Sequence, residues 1–185
     1  SNKVIEILSF NDFHGNVLES GKNIGAAKLT GIIKEYQKKD EASDTYGVAT
    51  VSGGDIYQGT AISNILSGAP VSEMLKEIGI VASAIGNHEY DWGSDKIKPW
   101  ADEVGFKFVA ANLIDEATGE APEYAEPYVM TTVDGINIAF IGIATPETLT
   151  STKAENVVGL KFLDIVETID KYSKIVRAEG ADIVV

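Results

Sequence analysis

The chain has 185 residues, of which 44% are apolar, 28 are acidic, 15 are basic and none is cysteine. A chain of this length and composition can bury one hydrophobic core, so we expect a folded domain and not a disordered segment. The formal net charge of −13 and the scattered lysines exclude the basic stripe that binds a nucleic-acid polymer. No apolar run is long enough for a membrane span, and the lack of cysteine excludes disulfides, thiolate zinc sites and a cysteine nucleophile.

Strand and helix patterns alternate in the first part of the chain. An apolar, β-branched run over 4–10 predicts a parallel strand that is covered on both faces. Apolar residues at helical spacing predict a helix from about Leu29. In chain order, the next patterns predict a strand over 48–51, a short helix over 60–66, a helix from Pro70, a strand over 80–85, a late-starting or kinked helix around Pro99, and a strand over 106–111.

The second part of the chain contains a hairpin pattern. An acidic connection over 115–126 leads to two strand patterns, 128–133 and 136–143, which are joined by a two-residue Asp-Gly turn. A helix from Leu163 to Gly180 and a strand over 181–185 follow. Strands that alternate with crossover helices predict an α/β fold with a largely parallel sheet, and we expect the hairpin at or near an edge of that sheet.

Polar loops follow the first three predicted strands, at the sheet edge where open α/β sheets bind ligands. They begin at Asn11 (NDFHG), Gly53 (GGD) and Gly86 (GNHEYD), and they contain both histidines of the chain. Each motif alone is typical of a turn or a helix cap. Together they bring carboxylate, amide and imidazole groups to one edge, and these are ligands of divalent metals. We therefore predict a metal site from Asp12, His14, Asp55, Asn87 and His88.

The fuller strings FNDFHGN, SGGDIYQGT and GNHEYDWG resemble the calcineurin-like metallophosphoesterases, and within them the 5'-nucleotidase family. The stretch GIATPET over 142–148 is also similar to that family, so the resemblance extends from about residue 4 to the end of the chain. It implies a two-metal phosphohydrolase with a four-layered α/β/β/α catalytic domain. Residues 1–185 would form the N-terminal part of that domain, without its remainder or the C-terminal substrate domain.

The resemblance implies a set of metal ligands. Asp12 and His14 would bind one ion, Asp55 would bridge both ions, and a hydroxide held between the ions would attack the phosphate. Asn87 would bind the second ion, and as a neutral ligand it would leave the site positively charged toward a phosphate dianion. Zinc, manganese, iron and cobalt all suit these donors.

Three further residues receive roles from the resemblance. His88 would stabilise charge on the phosphate or protonate the leaving oxygen, and Asp91 would orient its imidazole. The alternative for Asp91 is an N-cap of the following helix. Asn112 would contact substrate or support the site, and the alternative is a plain loop asparagine.

The implied reaction is hydrolysis of phosphate esters, first of all nucleoside 5'-monophosphates. Cyclic 2',3'-nucleotides or nucleotide sugars are alternative substrates, and a metal-stabilised interaction domain is the non-catalytic alternative. No histidine follows His88, whereas the family takes further ligands from later histidines. We therefore expect part of a longer enzyme, inactive alone, and not a natural degenerate domain. The resemblance also implies an extracytoplasmic location, and the oligomeric state stays open.

Overall fold

A computed structural model describes residues 2–185 and contains a four-stranded parallel sheet in the order β1-β2-β3-β4. The strands are Val4–Phe10, Tyr46–Ser52, Ala82–Ala84 and Lys107–Val109. Each crossover moves to the neighbouring position in the sheet, so the carboxyl ends of all four strands lie at one edge. The loops after β1, β2 and β3 therefore meet there, as the sequence predicts.

Helices cover one face of this parallel sheet. The main ones are α1 (Gly25–Glu41), α3 (Ala69–Ile78) and α4 (Ile97–Val104), and the short α2 (Ala61–Ile65) precedes α3. Helix α3 contacts both α1 and α4, so the three helices form one layer. Their apolar sides and the sheet enclose the larger hydrophobic core, which contains fully buried Tyr57, Leu75, Ile97 and Phe108.

A second sheet has the strand order β6-β7-β9, with strands Tyr128–Val133, Ile136–Ile141 and Ile183–Val184. Strands β6 and β7 are the predicted hairpin, and β9 pairs in parallel with β7. Asp134 and Gly135 have φ angles of 49° and 77°. Positive φ at both positions is what a type I′ turn requires, so the Asp-Gly turn is confirmed.

The two sheets stack through a second buried core. Ala49 of the parallel sheet packs with Ile138 and Phe140 of β7, and other apolar residues of both sheets surround them. Helix α6 (Ile165–Ala178) contacts β7 and β9. The order of layers is thus helices, parallel sheet, second sheet, helix. This confirms the expected N-terminal portion of an α/β/β/α sandwich.

The position of the hairpin corrects one expectation, because it does not extend the edge of the parallel sheet. Five of the six residues of β7 are apolar, and apolar character predicts burial without specifying the partner. A further two-stranded antiparallel sheet, β5 (Leu113–Asp115) with β8 (Leu160–Phe162), has no counterpart in the sequence prediction. Strands of three residues are too short to give a periodic pattern.

Two local features complete the fold. Pro99 lies in the first turn of α4, where a missing N–H is tolerated, so the helix begins before it and not late. The four-residue α5 (Thr148–Ser151) follows the GIATPET stretch. Among residues 2–185, no helix combines the length and the apolar character that crossing a membrane would require.

Candidate metal centre

Three loops at the carboxyl edge of the parallel sheet form the candidate site. We call them loop 1 (11–15), loop 2 (53–59) and loop 3 (85–91). Loops 1 and 2 continue the pairing of β1 with β2, because the N–H groups of Asp12 and His14 donate to the carbonyls of Gly54 (3.0 Å) and Asp55 (2.9 Å). The site therefore rests on backbone hydrogen bonds that extend the sheet.

Loops 1 and 2 bring together three metal-binding side chains. Asp12, His14 and Asp55 each offer one ligand atom, and these atoms all lie within 4.8 Å of one another. No other group of three or more acidic or histidine side chains with this geometry occurs among residues 2–185. The predicted convergence of these three residues is thus present in the fold.

The same three residues adopt an uncommon backbone conformation. Asp12, His14 and Asp55 have φ angles of 53°, 50° and 55°. A non-glycine residue in this left-handed region costs about 1–2 kcal/mol, and such residues cluster at functional sites. Outside this site, Ser67 and Asp134 are the other non-glycine residues with positive φ among those described.

His14 is oriented for metal binding through one defined nitrogen. Its Nδ1 lies 2.9 Å from the carbonyl oxygen of Gln58, and its Nε2 lies 3.3 Å from Asp12 Oδ1. A carbonyl oxygen accepts hydrogen bonds only, so Nδ1 donates to Gln58 and Nε2 is the ring nitrogen that faces Asp12. Metal-binding histidines typically donate such a hydrogen bond from the ring nitrogen that does not face the metal.

Loop 3 approaches the cluster through its backbone. The N–H of His88 donates to Asp55 Oδ1 at 2.9 Å. The neighbouring Asn87 donates its side-chain NH2 to the carbonyl oxygen of Ser151 at 3.4 Å, which leaves its amide oxygen as the available metal ligand. Asn87 is thus placed next to the residue that contacts Asp55.

His88 and Asp91 form a hydrogen-bonded pair. His88 Nδ1 lies 2.7 Å from Asp91 Oδ2, and the other Asp91 oxygen accepts from the Thr152 hydroxyl at 2.8 Å. The imidazole rings of His88 and His14 are 5.1 Å apart. Burial lowers the pKa of His88, but the hydrogen bond and charge of Asp91 outweigh it and the pKa is raised. Asp91 therefore orients His88. The next helical turn follows Gly93, so the Asp91 side chain is not its N-cap.

Asn112 is placed differently from the other predicted residues. It is fully buried, and its side-chain amide both accepts from the N–H of Ala144 (2.9 Å) and donates to the Ala144 carbonyl (2.8 Å). The geometry favours a structural bridge between the segments that follow β4 and β7.

Glu89 is a further buried residue of the site. It has 0% exposure and accepts hydrogen bonds from the N–H groups of Ile56 (2.7 Å), Asp55 (2.8 Å) and Gly86 (2.6 Å). Burial raises the pKa of Glu89 to about 7, although these hydrogen bonds lower it. The spacing of Glu89 three residues after Gly86, as in a capping box, is the sequence signal for this contact.

The backbones of loops 2 and 3 are in direct contact, and this contact requires glycine. A Cβ atom on Gly86 would lie 2.1 Å from Asp55 Oδ1, and one on Gly54 would lie 2.7 Å from the Gly86 nitrogen. Neither position has room for a side chain. The motif glycines thus permit the close approach of the loops.

The residues at this edge fit a divalent cation. Two carboxylates, one imidazole nitrogen and one amide oxygen form a donor set that suits zinc, manganese, iron or cobalt. The ligand atoms of Asp12, His14 and Asp55 lie close enough together for one ion to contact several of them.

The chain is similar in sequence and in fold to known proteins. No family model matches the chain. The chain is 29% identical to the cell wall protein Lmo0130 of Listeria monocytogenes, over 98% of the chain and 27% of that protein. It is 32% identical to a 5'-nucleotidase of Vibrio cholerae, over 98% of the chain and 32% of that protein. The chain therefore spans about a third of these relatives.

A solved structure with the same fold is the calcineurin-like phosphoesterase YfkN of Bacillus subtilis. It superposes with a TM-score of 0.74 at 25% identity, over 96% of this chain and 59% of that one. In sequence and in fold, the chain therefore matches the N-terminal part of calcineurin-like metallophosphoesterases of the 5'-nucleotidase family.

Proposed function

We propose that the chain is the N-terminal part of a two-metal catalytic domain that hydrolyses phosphate esters. The observation that carries this proposal is the convergence of Asp12, His14 and Asp55 within 4.8 Å at the carboxyl edge of the sheet. Divalent cations held here would supply Lewis-acid activation of water and of the phosphate. In this proposal Asp12 and His14 bind one cation, Asp55 is shared, and Asn87 binds the second.

The chain's own residues also supply a proton donor in this proposal. Asp91 Oδ2 is hydrogen-bonded to His88 Nδ1 at 2.7 Å, so Nε2 is the ring nitrogen that contacts the substrate. An imidazolium at this position donates a hydrogen bond to a phosphate oxygen or a proton to the leaving oxygen. The upward shift in the pKa of His88 keeps the ring protonated to higher pH, as a proton donor requires.

Nucleoside 5'-monophosphates are the substrates we propose. This choice rests on the relative from Vibrio cholerae, which is a 5'-nucleotidase. An extracytoplasmic location is part of the same proposal, and the cell wall protein of Listeria monocytogenes supports it.

The test compares AMP, 2',3'-cyclic AMP and p-nitrophenyl phosphate as substrates of the intact gene product in the presence of Mn²⁺ or Zn²⁺. We expect metal-dependent release of phosphate from AMP, and we expect the 185-residue chain alone to show little turnover. Preference for the cyclic nucleotide would contradict the substrate proposal. Metal binding without hydrolysis by the intact product would contradict the catalytic proposal and favour an interaction domain. Comparable turnover by the 185-residue chain would contradict the domain proposal.

A further inference from the structure

Three backbone N–H groups converge on one buried carboxylate between loops 2 and 3. Glu89 Oε2 accepts from Asp55 (2.8 Å) and Gly86 (2.6 Å), and Oε1 accepts from Ile56 (2.7 Å). Glu89 has no exposed surface. A buried carboxylate is retained only where such hydrogen bonds satisfy it, so these three contacts are specific features of the site.

The carboxylate takes the place of missing strand pairing. Strands β2 and β3 pair at only two positions, Val51 with Ala82 and Ser52 with Ser83. Beyond these positions β2 and β3 separate and continue as loops 2 and 3. Backbone N–H groups in a buried loop then need acceptors other than a neighbouring strand. Glu89 provides the acceptors for both loops with one side chain, and it thereby joins loop 2 to loop 3.

The connection between the loops is reciprocal at Asp55. The backbone of Asp55 donates to Glu89 of loop 3, and the side chain of Asp55 accepts from the N–H of His88 in the same loop at 2.9 Å. Asp55 holds a φ angle of 55°, a conformation that persists only where its surroundings enforce it. Glu89 is the only side chain that donates or accepts a hydrogen bond at the backbone of Asp55 among residues 2–185.

We propose that Glu89 is a positioning residue, which fixes Asp55 against Asn87 and His88 before metal binds. This inference rests on the proposed function, in which Asp55 is the shared ligand and Asn87 binds the second ion. Glu89 does not contact the metal. It acts by setting the separation and orientation of ligands that come from different loops.

Two variants of Glu89 separate geometry from charge. Glu89→Gln keeps the length of the side chain, but its NH2 group must face at least one backbone N–H, so a hydrogen bond is lost. Glu89→Asp keeps the charge but is one methylene shorter and does not reach all three donors. The matched control is Ile138→Val, which loosens the fully buried core between the sheets, away from the loops.

The measurement is a Mn²⁺ titration of the folded chain followed by amide NMR, in neutral to mildly alkaline buffer. Paramagnetic broadening of loop 1–3 amides reports the affinity, and the same spectra report folding. We expect both Glu89 variants to need roughly tenfold or more Mn²⁺ for the same broadening, the range seen when groups that orient metal ligands are removed. We expect Ile138→Val to bind as the wild type does.

The outcomes distinguish the two proposals. A wild-type chain that does not bind Mn²⁺ at these loops contradicts the proposed function. If the wild type binds and Glu89→Gln binds equally well, the positioning role is wrong. Wild-type affinity in Glu89→Asp with weak binding in Glu89→Gln would show that charge, and not position, is what Glu89 supplies.

A second measurement does not depend on the folding of a variant. In the wild-type chain after treatment with a chelator, the amides of Asp55, Ile56 and Gly86 should exchange slowly with solvent, because Glu89 accepts their hydrogen bonds without metal. Exchange of these three amides at the rate of open loops would overturn the inference.

Discussion

At the scale of single residues, the site combines a strained backbone with hydrogen bonds that hold it in place. Asp12, His14 and Asp55 adopt left-handed φ angles, each at a cost of about 1–2 kcal/mol, which the hydrogen bonds between loops must offset. The N–H groups of Asp12 and His14 bond to loop 2, and that of Asp55 bonds to Glu89. Hydrogen bonds between the loops thus hold these three residues in place.

Gly86 is the residue at which this arrangement tolerates least change. In Gly86→Ala the new Cβ would lie 2.1 Å from Asp55 Oδ1. We expect loops 2 and 3 to separate, with a loss of about 1–3 kcal/mol in the free energy of unfolding, as in other overpacked sites. Urea denaturation measures this loss. In the control, Gly21→Ala, no atom lies within 4 Å of the new Cβ, although its φ of +57° adds some strain. Equal stability of Gly86→Ala and the wild type would contradict the close contact.

The residues of the site differ in how far the sequence predicts them. Asp12, His14, Asp55 and Asn87 follow strands that have clear patterns, so their common edge could be predicted. The contact of Thr152 with Asp91 could not, because the two residues are 61 positions apart and no local pattern links them. Glu89 carries only the weak signal of its spacing from Gly86.

At the scale of elements, local sequence determines the hairpin turn and the helix ends. Helix α3 begins with Pro70 in its first turn and ends at Gly79, which has a φ angle of 72°. Both features are the ones that helix termini favour, and the sequence predicts this helix well. The stacking of the hairpin on the parallel sheet is not predictable in the same way, because it depends on which apolar faces meet.

The N-cap of α6 provides a test at this scale. The carboxylate of Asp164 accepts from the N–H of Glu167 at 2.9 Å. Replacement by alanine leaves that N–H without its cap, and we expect Asp164→Ala to lower the free energy of unfolding by about 1 kcal/mol. Thermal or urea denaturation checks this value. Asp164→Ser retains a capping oxygen and serves as the control, and an equal loss in both variants would refute the capping role.

At the scale of the whole molecule, four layers bring the ends of three strands to one exposed edge. The net charge of −13 favours cations over anions at the surface in general. A phosphate dianion would therefore need the positive charge of bound metal to approach this edge. The acidic composition thus agrees with a metal-dependent site.

The stability of the metal-free chain should depend on pH through Glu89. Its pKa is raised from 4.5 to about 7 in the folded chain, so between these values the folded state binds more protons than the unfolded state. The free energy of unfolding therefore falls as pH rises through this window, by about 3 kcal/mol from Glu89 alone. The raised pKa of His88 acts in the same direction, because its contribution is lost as pH rises through the folded value.

Denaturation curves at several pH values, with a chelator present, measure this dependence. Glu89→Gln does not titrate and should show a flatter profile, with only the other groups contributing. The free energy of unfolding of the wild-type chain should fall from pH 5 to pH 7. A rise of similar size over this range would contradict the assignment of the raised pKa to Glu89.

The central claim is that loops 1 and 2 hold a divalent cation through Asp12, His14 and Asp55. The most direct measurement is Mn²⁺-induced broadening of amide signals in the wild-type chain, in Asp55→Asn, and in Asp44→Asn. Asp44 is exposed and precedes β2, so it lies at the opposite end of that strand from loop 2. We predict broadening centred on the loop 1 and loop 2 amides in the wild type and in Asp44→Asn, and its loss in Asp55→Asn. Broadening that is absent from these loops in the wild type, or unchanged in Asp55→Asn, would contradict the claim.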